Sequence, residues 1–261
     1  MRVRLKGGPG SGHRGHSGRP GRKGGSLPGI GGARNIESIW EMHSEELYGK
    51  IFGDMSKEDV ENMFLLPGTQ TDFNVSFSDT AYGTKAVVHG SWQTENGEKV
   101  AIFQRTFYVT KTGERIVHND SLQFYSDFQN RGLATSLYDR QIGQLRKAGF
   151  DSIELDANIS IGRYAWARKG FDYADPGRLD SVNLKFRRWA RERFARSPAG
   201  GWPTFRSASE VASYKLPGVS FPGSSIRNTD VPADMSLSVG KAFMLDMSGK
   251  GHGAWSARLK L

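Results

Sequence analysis

The chain contains no cysteine, which excludes disulfides and a cysteine nucleophile and suits a reducing compartment. It has no apolar run long enough to cross a bilayer. Its basic N-terminus is not followed by the apolar stretch of a secretory signal. Acidic residues are absent from positions 1–33, where Arg2, Arg4, Lys6, Arg14, Arg19, Arg22 and Lys23 stand unopposed. Most of the formal net charge of +9 therefore belongs to this arm, and the body is only mildly basic. An acidic partner such as nucleic acid is expected at the arm first. Hydrophobic residues are scarce, 37% of 261, while glycines number 33, so part of the chain does not pack. There is no internal repeat, no Ser-His-Asp order, no metal-ligand cluster and no nucleotide-hydrolysing loop. Nothing stands near His13 and His16 to complete a metal site.

Residues 7–32 are rich in glycine, proline and serine and read as a flexible tether, or as an arm that orders on a partner. Ile36, Ile39, Trp40, Leu47 and Tyr48 predict a helix over 36–48. Ser56, with Asp59 three residues on, caps a second helix that Pro67-Gly68 stops. Strands follow: Phe73 to Phe77 alternates, Lys85–Thr94 and Lys99–Thr110 flank the Asn96-Gly97 hairpin, and Lys111-Thr112-Gly113-Glu114 turns into Arg115–Tyr125.

The most informative stretch is Ser121 to Phe171. A strand containing Leu122 and Phe124 runs into the turn Gln129-Asn130-Arg131-Gly132-Leu133-Ala134, which opens onto a helix. Leu133, Leu137, Tyr138, Ile142 and Leu145 share one face of that helix. Gly149 ends it, and Ser152–Ala157 is the next strand. The turn offers free backbone N–H groups at the positive end of a helix dipole, a seat for a phosphate at the carboxyl end of a strand. After Asp175-Pro176-Gly177, residues 180–196 read as an amphipathic helix with Val182, Phe186, Trp189 and Phe194 packed and the arginines solvated. A nucleic-acid surface is the rival reading there. Residues 197–235 read as loop, and 236–261 as one or two closing strands.

At the turn the sequence resembles the GNAT acyltransferase superfamily, through the pattern Q-x-x-G-x-A, Asn158 and the Gly170-Phe171 pair. The resemblance implies an α/β fold with a mixed sheet. It divides the chain into an arm (1–33), a GNAT-like domain (34–176) and a C-terminal extension (177–261). It also implies an acetyl-CoA-dependent N-acyltransferase acting on an unidentified amine. Backbone amides of Gln129, Asn130, Arg131, Gly132, Leu133 and Ala134 would hold the pyrophosphate. Leu122, Gln123 and Phe124 would pair with the pantetheine arm, and Asn158 would line the other side. The family's thiolate-protonating tyrosine falls on Trp166, which has no dissociable proton; either a shifted helix register lets Tyr164, two residues earlier, serve as the acid, or no acid is present. His118, Asp120 and Glu154, on the central strands, are the candidate bases, with polar residues of an exposed strand face as the alternative reading of each. A helical pair between the first strands helps form the acceptor wall in this family, whereas here the pair is expected to precede most of the sheet. The glycine-rich arm resembles segments of tailed-bacteriophage head and virion proteins. That likeness implies, as the alternative, a catalytically impaired GNAT-fold structural protein binding phage proteins or nucleic acid, in the host cytoplasm or on the virion.

Overall fold

The computed structural model describes residues 36–40, 45–129, 131–157, 162–227, 231–248 and 255–261. The arm at 1–33, Asn130 and Asn158 lie outside them.

Alternation builds the first half of the chain. In β2 (Gln70–Thr80), Thr71, Phe73 and Val75 are buried while Asn74 and Ser76 are exposed. β3 (Gly83–Gln93) and β4 (Lys99–Thr110) continue the pattern, joined at the predicted turn, where Gly97 has φ +79°. β5 (Arg115–Phe124) completes four antiparallel strands. The helix predicted over 36–48 is instead strand β1 (Ile36–Trp40) followed by helix α1 (Glu45–Phe52). β1 finds a parallel partner in β2, from Ile36↔Thr71 to Trp40↔Val75, a non-local pairing that overrides its helical spacing. With α2 (Lys57–Met63), whose Ser56–Asp59 capping box forms as expected, the helical pair connects β1 to β2 and so precedes every strand of the sheet but β1, as expected.

Helix α3 (Leu133–Lys147) buries Leu137, Tyr138, Ile142 and Leu145, as its periodicity predicts. It leads to β6 (Ser152–Ala157), parallel to β5. α4 (Gly162–Arg168) and β7 (Asp172–Tyr173) follow. The last strand, β10 (Trp255–Lys260), lies between β6 and β7, antiparallel to both, giving the order β1-β2-β3-β4-β5-β6-β10-β7. The chain after residue 176 thus returns to the sheet.

Between β7 and β10 stand α5 (Gly177–Arg193), α6 (Ala208–Ser213), the short pair β8 (Phe221–Pro222) and β9 (Ser236–Leu237), and α7 (Val239–Ser248). α5 packs its aromatics as expected, Phe186 and Trp189 being buried with Arg188 and Arg191 exposed, but Arg193 is not solvated: it pairs with the buried Asp246 at 2.8 Å. The 197–235 stretch contains helix α6, whose N-cap Ser207 accepts from the Glu210 N–H at 3.1 Å, and the span read as closing strands contains α7.

The aromatic core joins α1 and α2 to one face of the sheet: Phe52 meets Phe107 at 5.0 Å between ring centroids, and Phe64 stacks on Phe103 at 4.8 Å. Gly90 permits this packing. A Cβ there would collide with the Asp72 carbonyl oxygen and stand 2.5 Å from the Phe73 Cβ. Gly90→Ala is therefore expected to lower the urea-unfolding free energy by about 3 kcal/mol, an overpacking penalty at the upper end of its usual range. An unchanged midpoint would contradict the β2–β3 register.

Candidate functional site

The parallel pairing of β5 with β6 is short. It runs from Ile116↔Ser152 to Asn119↔Leu155 and stops. The register between β4 and β5 explains why. Gln104 faces Ser121 and Thr106 faces His118, so Asn119 and Asp120 together oppose the single residue Arg105. This is a β-bulge in β5, and a bulge bends its strand. Beyond it β5 follows β4 and no longer pairs with β6. The Tyr125 N–H bonds to the Val100 carbonyl at 3.0 Å. Antiparallel alternation then directs the backbone groups of Leu122 and Phe124 toward the unpaired edge and those of Gln123 toward β4. Gln123 therefore does not offer main-chain groups to that edge, unlike Leu122 and Phe124.

The inner side of the bulge is held by Arg105. Its buried guanidinium donates to the carbonyls of Gln104 (2.8 Å) and Ser121 (2.6 Å) and to the Tyr138 hydroxyl on α3 (3.2 Å). Burial depresses the arginine's pKa and pushes the Tyr138 phenol up to about 12. The hydroxyl thus keeps its proton. Arg105 was missed in the sequence, although a charge at the inward position between Phe103 and Phe107 was the available signal.

Gly132 adopts φ +77° as N-cap of α3, is exposed, and a Cβ there would meet nothing within 4 Å. Arg131 is also exposed, its guanidinium 5.1 Å from the Phe128 ring. The Gln129 side chain donates to the Phe124 carbonyl at 2.9 Å, tying the turn to the end of β5. Leu133 and Ala134 are half-buried in the first turn of the helix. Leu122 is buried.

On the sheet face turned away from α1 and α2, His118 Nδ1 lies 2.9 Å from Asp120 Oδ1, and the Thr106 hydroxyl donates to Asp120 Oδ2 at 2.7 Å. An ionised carboxylate only accepts, so Nδ1 carries the proton and Nε2 presents a lone pair. Burial raises the Asp120 pKa, but the hydrogen bonds from His118 and Thr106 outweigh it and hold the carboxyl below its usual range. Glu154 is His118's register neighbour on β6. Arg258 Nε donates to its carboxylate at 2.8 Å, with Nη2 also in contact. The same face carries a groove of about 850 Å3 that runs across the strands past Asn74, His89, Gln104 and Ser121.

Trp166 is buried, edge-on to Tyr138 at 4.6 Å and to Phe171 at 5.3 Å, a core role. Tyr164 is half-buried with Lys241 Nζ of α7 5.1 Å from its ring centroid. His118, Asp120 and Glu154 are thus brought together, while the recorded ring contact of Tyr164 is with α7. Among the described residues no group of three or more His, Asp or Glu is placed to hold a metal, and no helix is long and apolar enough to cross a membrane.

No family model and no curated protein matches the chain. Among solved structures it is similar to Arabidopsis thaliana Naa50 in complex with the bisubstrate analogue CoA-Ac-MVNAL. The identity there is 15%, over 35% of this chain and 58% of that one, with a TM-score of 0.28. It is also similar to nourseothricin acetyltransferase, at 13% identity over 46% of this chain and 81% of that one, with a TM-score of 0.28. A third similarity is to the GNAT domain of S. lividans PAT, at 13% identity over 50% of this chain and 74% of that one, with a TM-score of 0.25. The fold is a mixed α/β fold whose sheet has the order β1-β2-β3-β4-β5-β6-β10-β7 and whose parallel β5–β6 pair parts at a bulge.

Proposed function

We propose that the chain is an acyl-CoA-dependent N-acyltransferase. The observation that carries this reading is the parting of β5 from β6 at the Asn119–Asp120 bulge, beside the open Gly132 turn at the start of α3. Both features fit the coenzyme. The exposed N-terminal end of α3 suits a pyrophosphate, with Arg131 as an added cation. The backbone groups that Leu122 and Phe124 direct to the strand edge suit an amide-bearing arm, which would take the Phe124 carbonyl from the Gln129 side chain. Asn130 and Asn158 complete the proposed binding set. Bound there, the coenzyme supplies an activated acyl thioester.

The chain's own residues do the rest from the opposite face. The amine acceptor lies in the groove past Gln104 and Ser121, and His118 Nε2 takes a proton from its ammonium form. The neutral amine then attacks the thioester carbon, and the carbon–sulfur bond breaks as the second amine proton passes to solvent. Asp120 holds the imidazole in the required tautomer. Glu154, already engaged by Arg258, contributes negative charge beside the forming imidazolium. Tyr164 is the dissociable hydroxyl on α4 in this reading. Solvent water suffices as the proton source for the thiolate, since a thiol pKa of about 8.5 makes it an adequate leaving group.

Coenzyme A at about one hundred times its dissociation constant should stabilise the fold by about 2.7 kcal/mol and raise the melting temperature by several degrees. Gly132→Val, a β-branched residue forced to positive φ at the point of closest approach, should abolish that rise while the chain still folds. No shift in the unaltered chain at millimolar coenzyme would end the proposal.

A further inference from the structure

Strand register lays a row of hydrogen-bonding side chains across the sheet. Asn74, His89, Gln104 and Ser121 are successive partners on β2, β3, β4 and β5, so they point to one face, that of His118 and Asp120. All four line the groove of about 850 Å3, whose other end is walled by Ile39 of β1 and Asp72 of β2. Ile39 and Ile102 are 69% and 42% exposed, so the described residues leave this part of the face uncovered. Asp72 is the one carboxylate among the described lining residues. The chain enters β1 at Ile36, which pairs with Thr71, the neighbour of Asp72. The basic segment 1–33 therefore arrives at this end of the groove. Its composition fits the floor. Glycine-rich sequence offers peptide N–H and C=O groups with few side chains to hold them off, and amide, imidazole and hydroxyl side chains bond such groups. Its lysines and arginines, unopposed by any acid, complement Asp72.

We infer that the acceptor amine of the proposed transfer is Lys23 of the chain's own basic arm, laid along this groove to His118. This rests on the acyltransferase reading above and names its substrate. Only Lys6 and Lys23 bring primary amines to the arm, since an arginine guanidinium keeps its proton and is no nucleophile. Lys23 precedes Ile36 by 13 residues. A glycine-rich stretch of that length spans about 20 Å on average and about 45 Å when extended. From Ile36 to His118 the sheet measures about 25 Å diagonally, from strand spacings of about 4.8 Å and a rise of about 3.3 Å per residue. This match of span to distance gives Lys23 an effective concentration in the millimolar range. Lys6 precedes Ile36 by 30 residues and has about a third of it. In the step itself, His118 Nε2 takes one proton from the Lys23 ammonium, Nζ bonds to the thioester carbon, and the carbon–sulfur bond breaks. The second amine proton passes to solvent and the thiolate takes one from water, leaving an amide and the free coenzyme thiol.

The test incubates the full chain with acetyl-CoA carrying a labelled acetyl group and locates the label by peptide mapping. Most of it is expected on Lys23, and the fraction of chains labelled at a fixed time should not change when the protein is diluted. Lys23→Arg should lower the label about fourfold, leaving the remainder on Lys6. His118→Gln should lower it about 10²-fold. Label spread evenly over the lysines, or undiminished in His118→Gln, would mean chemical acylation and overturn the inference. A labelled fraction that rises with protein concentration would also overturn it, because transfer would then pass between copies. The melting temperature with coenzyme A, read on the same chain, separates this inference from the reading beneath it. Stabilisation without label on the arm refutes the acceptor alone, and no stabilisation refutes both.

Discussion

Phe186→Ala should lower the unfolding free energy by about 3–5 kcal/mol, the range for truncating a fully buried phenylalanine. Phe186 is 0% exposed and is the hub of the inserted helices. Its ring lies 4.8 Å from Phe205, 5.2 Å from Phe243, 5.6 Å from Tyr214 and 6.0 Å from Trp202, measured between centroids. It therefore joins α5 to both ends of α6 and to α7. Polar ties run beside it. Asn183 bonds both backbone groups of Phe205, at 2.8 and 3.0 Å, and Asp246 of α7 accepts from the Trp189 indole and from Arg193, each at 2.8 Å. These bonds cannot compensate for a cavity at their centre, because they depend on the helix positions that the ring fixes. Urea unfolding followed by tryptophan fluorescence should show the fall in midpoint. A loss below about 1 kcal/mol would mean that the insertion collapses around the gap or packs differently.

What was legible in the chain was local. The Asn96-Gly97 hairpin, the strand limits at Lys99–Thr110 and Ser152–Ala157, the buried stripe of α3 and the Gly132 turn each follow from a few neighbouring residues, and each is found as read. What was not legible needed a partner distant in the chain. β1 has helical spacing and becomes a strand because β2 lies beside it. The bulge that parts β5 from β6 has no signature in Asn119-Asp120 alone, since it exists only relative to the count of residues on β4. Its one trace was Arg105, a charge set among inward phenylalanines, which becomes intelligible once the Gln104 and Ser121 carbonyls need a donor. α6 did leave a mark, the Ser207-x-x-Glu210 capping pattern, but a six-residue helix offers little periodicity to support it. At the site, His118, Asp120 and Glu154 were visible as polar residues on central strands. Thr106, the second ligand of Asp120, was not, because it depends on the same register.

His118→Gln should reduce acyl transfer by about 10²–10⁴-fold, the usual contribution of a positioned general base. The loss should fall mainly on kcat, because the glutamine keeps a polar side chain at that position while removing the proton acceptor. The pH profile separates this from a structural effect. In the unaltered chain the base keeps the rate high near neutrality. In the variant only acceptor molecules that are already deprotonated can react, so its rate should climb about tenfold per pH unit toward the amine's own pKa, about 10 for an alkylamine. Asp120→Asn should show a smaller loss and a shallower rise with pH, since it leaves the imidazole in place but no longer enforces its tautomer. Asp120 itself does not set the acid limb of the profile. Its pKa lies below the ordinary carboxylate value, so its contribution is fully present above that value and disappears only as the pH falls through the lowered one. Full activity in His118→Gln at neutral pH, with coenzyme binding intact, would remove the dyad from the mechanism while leaving the coenzyme site standing.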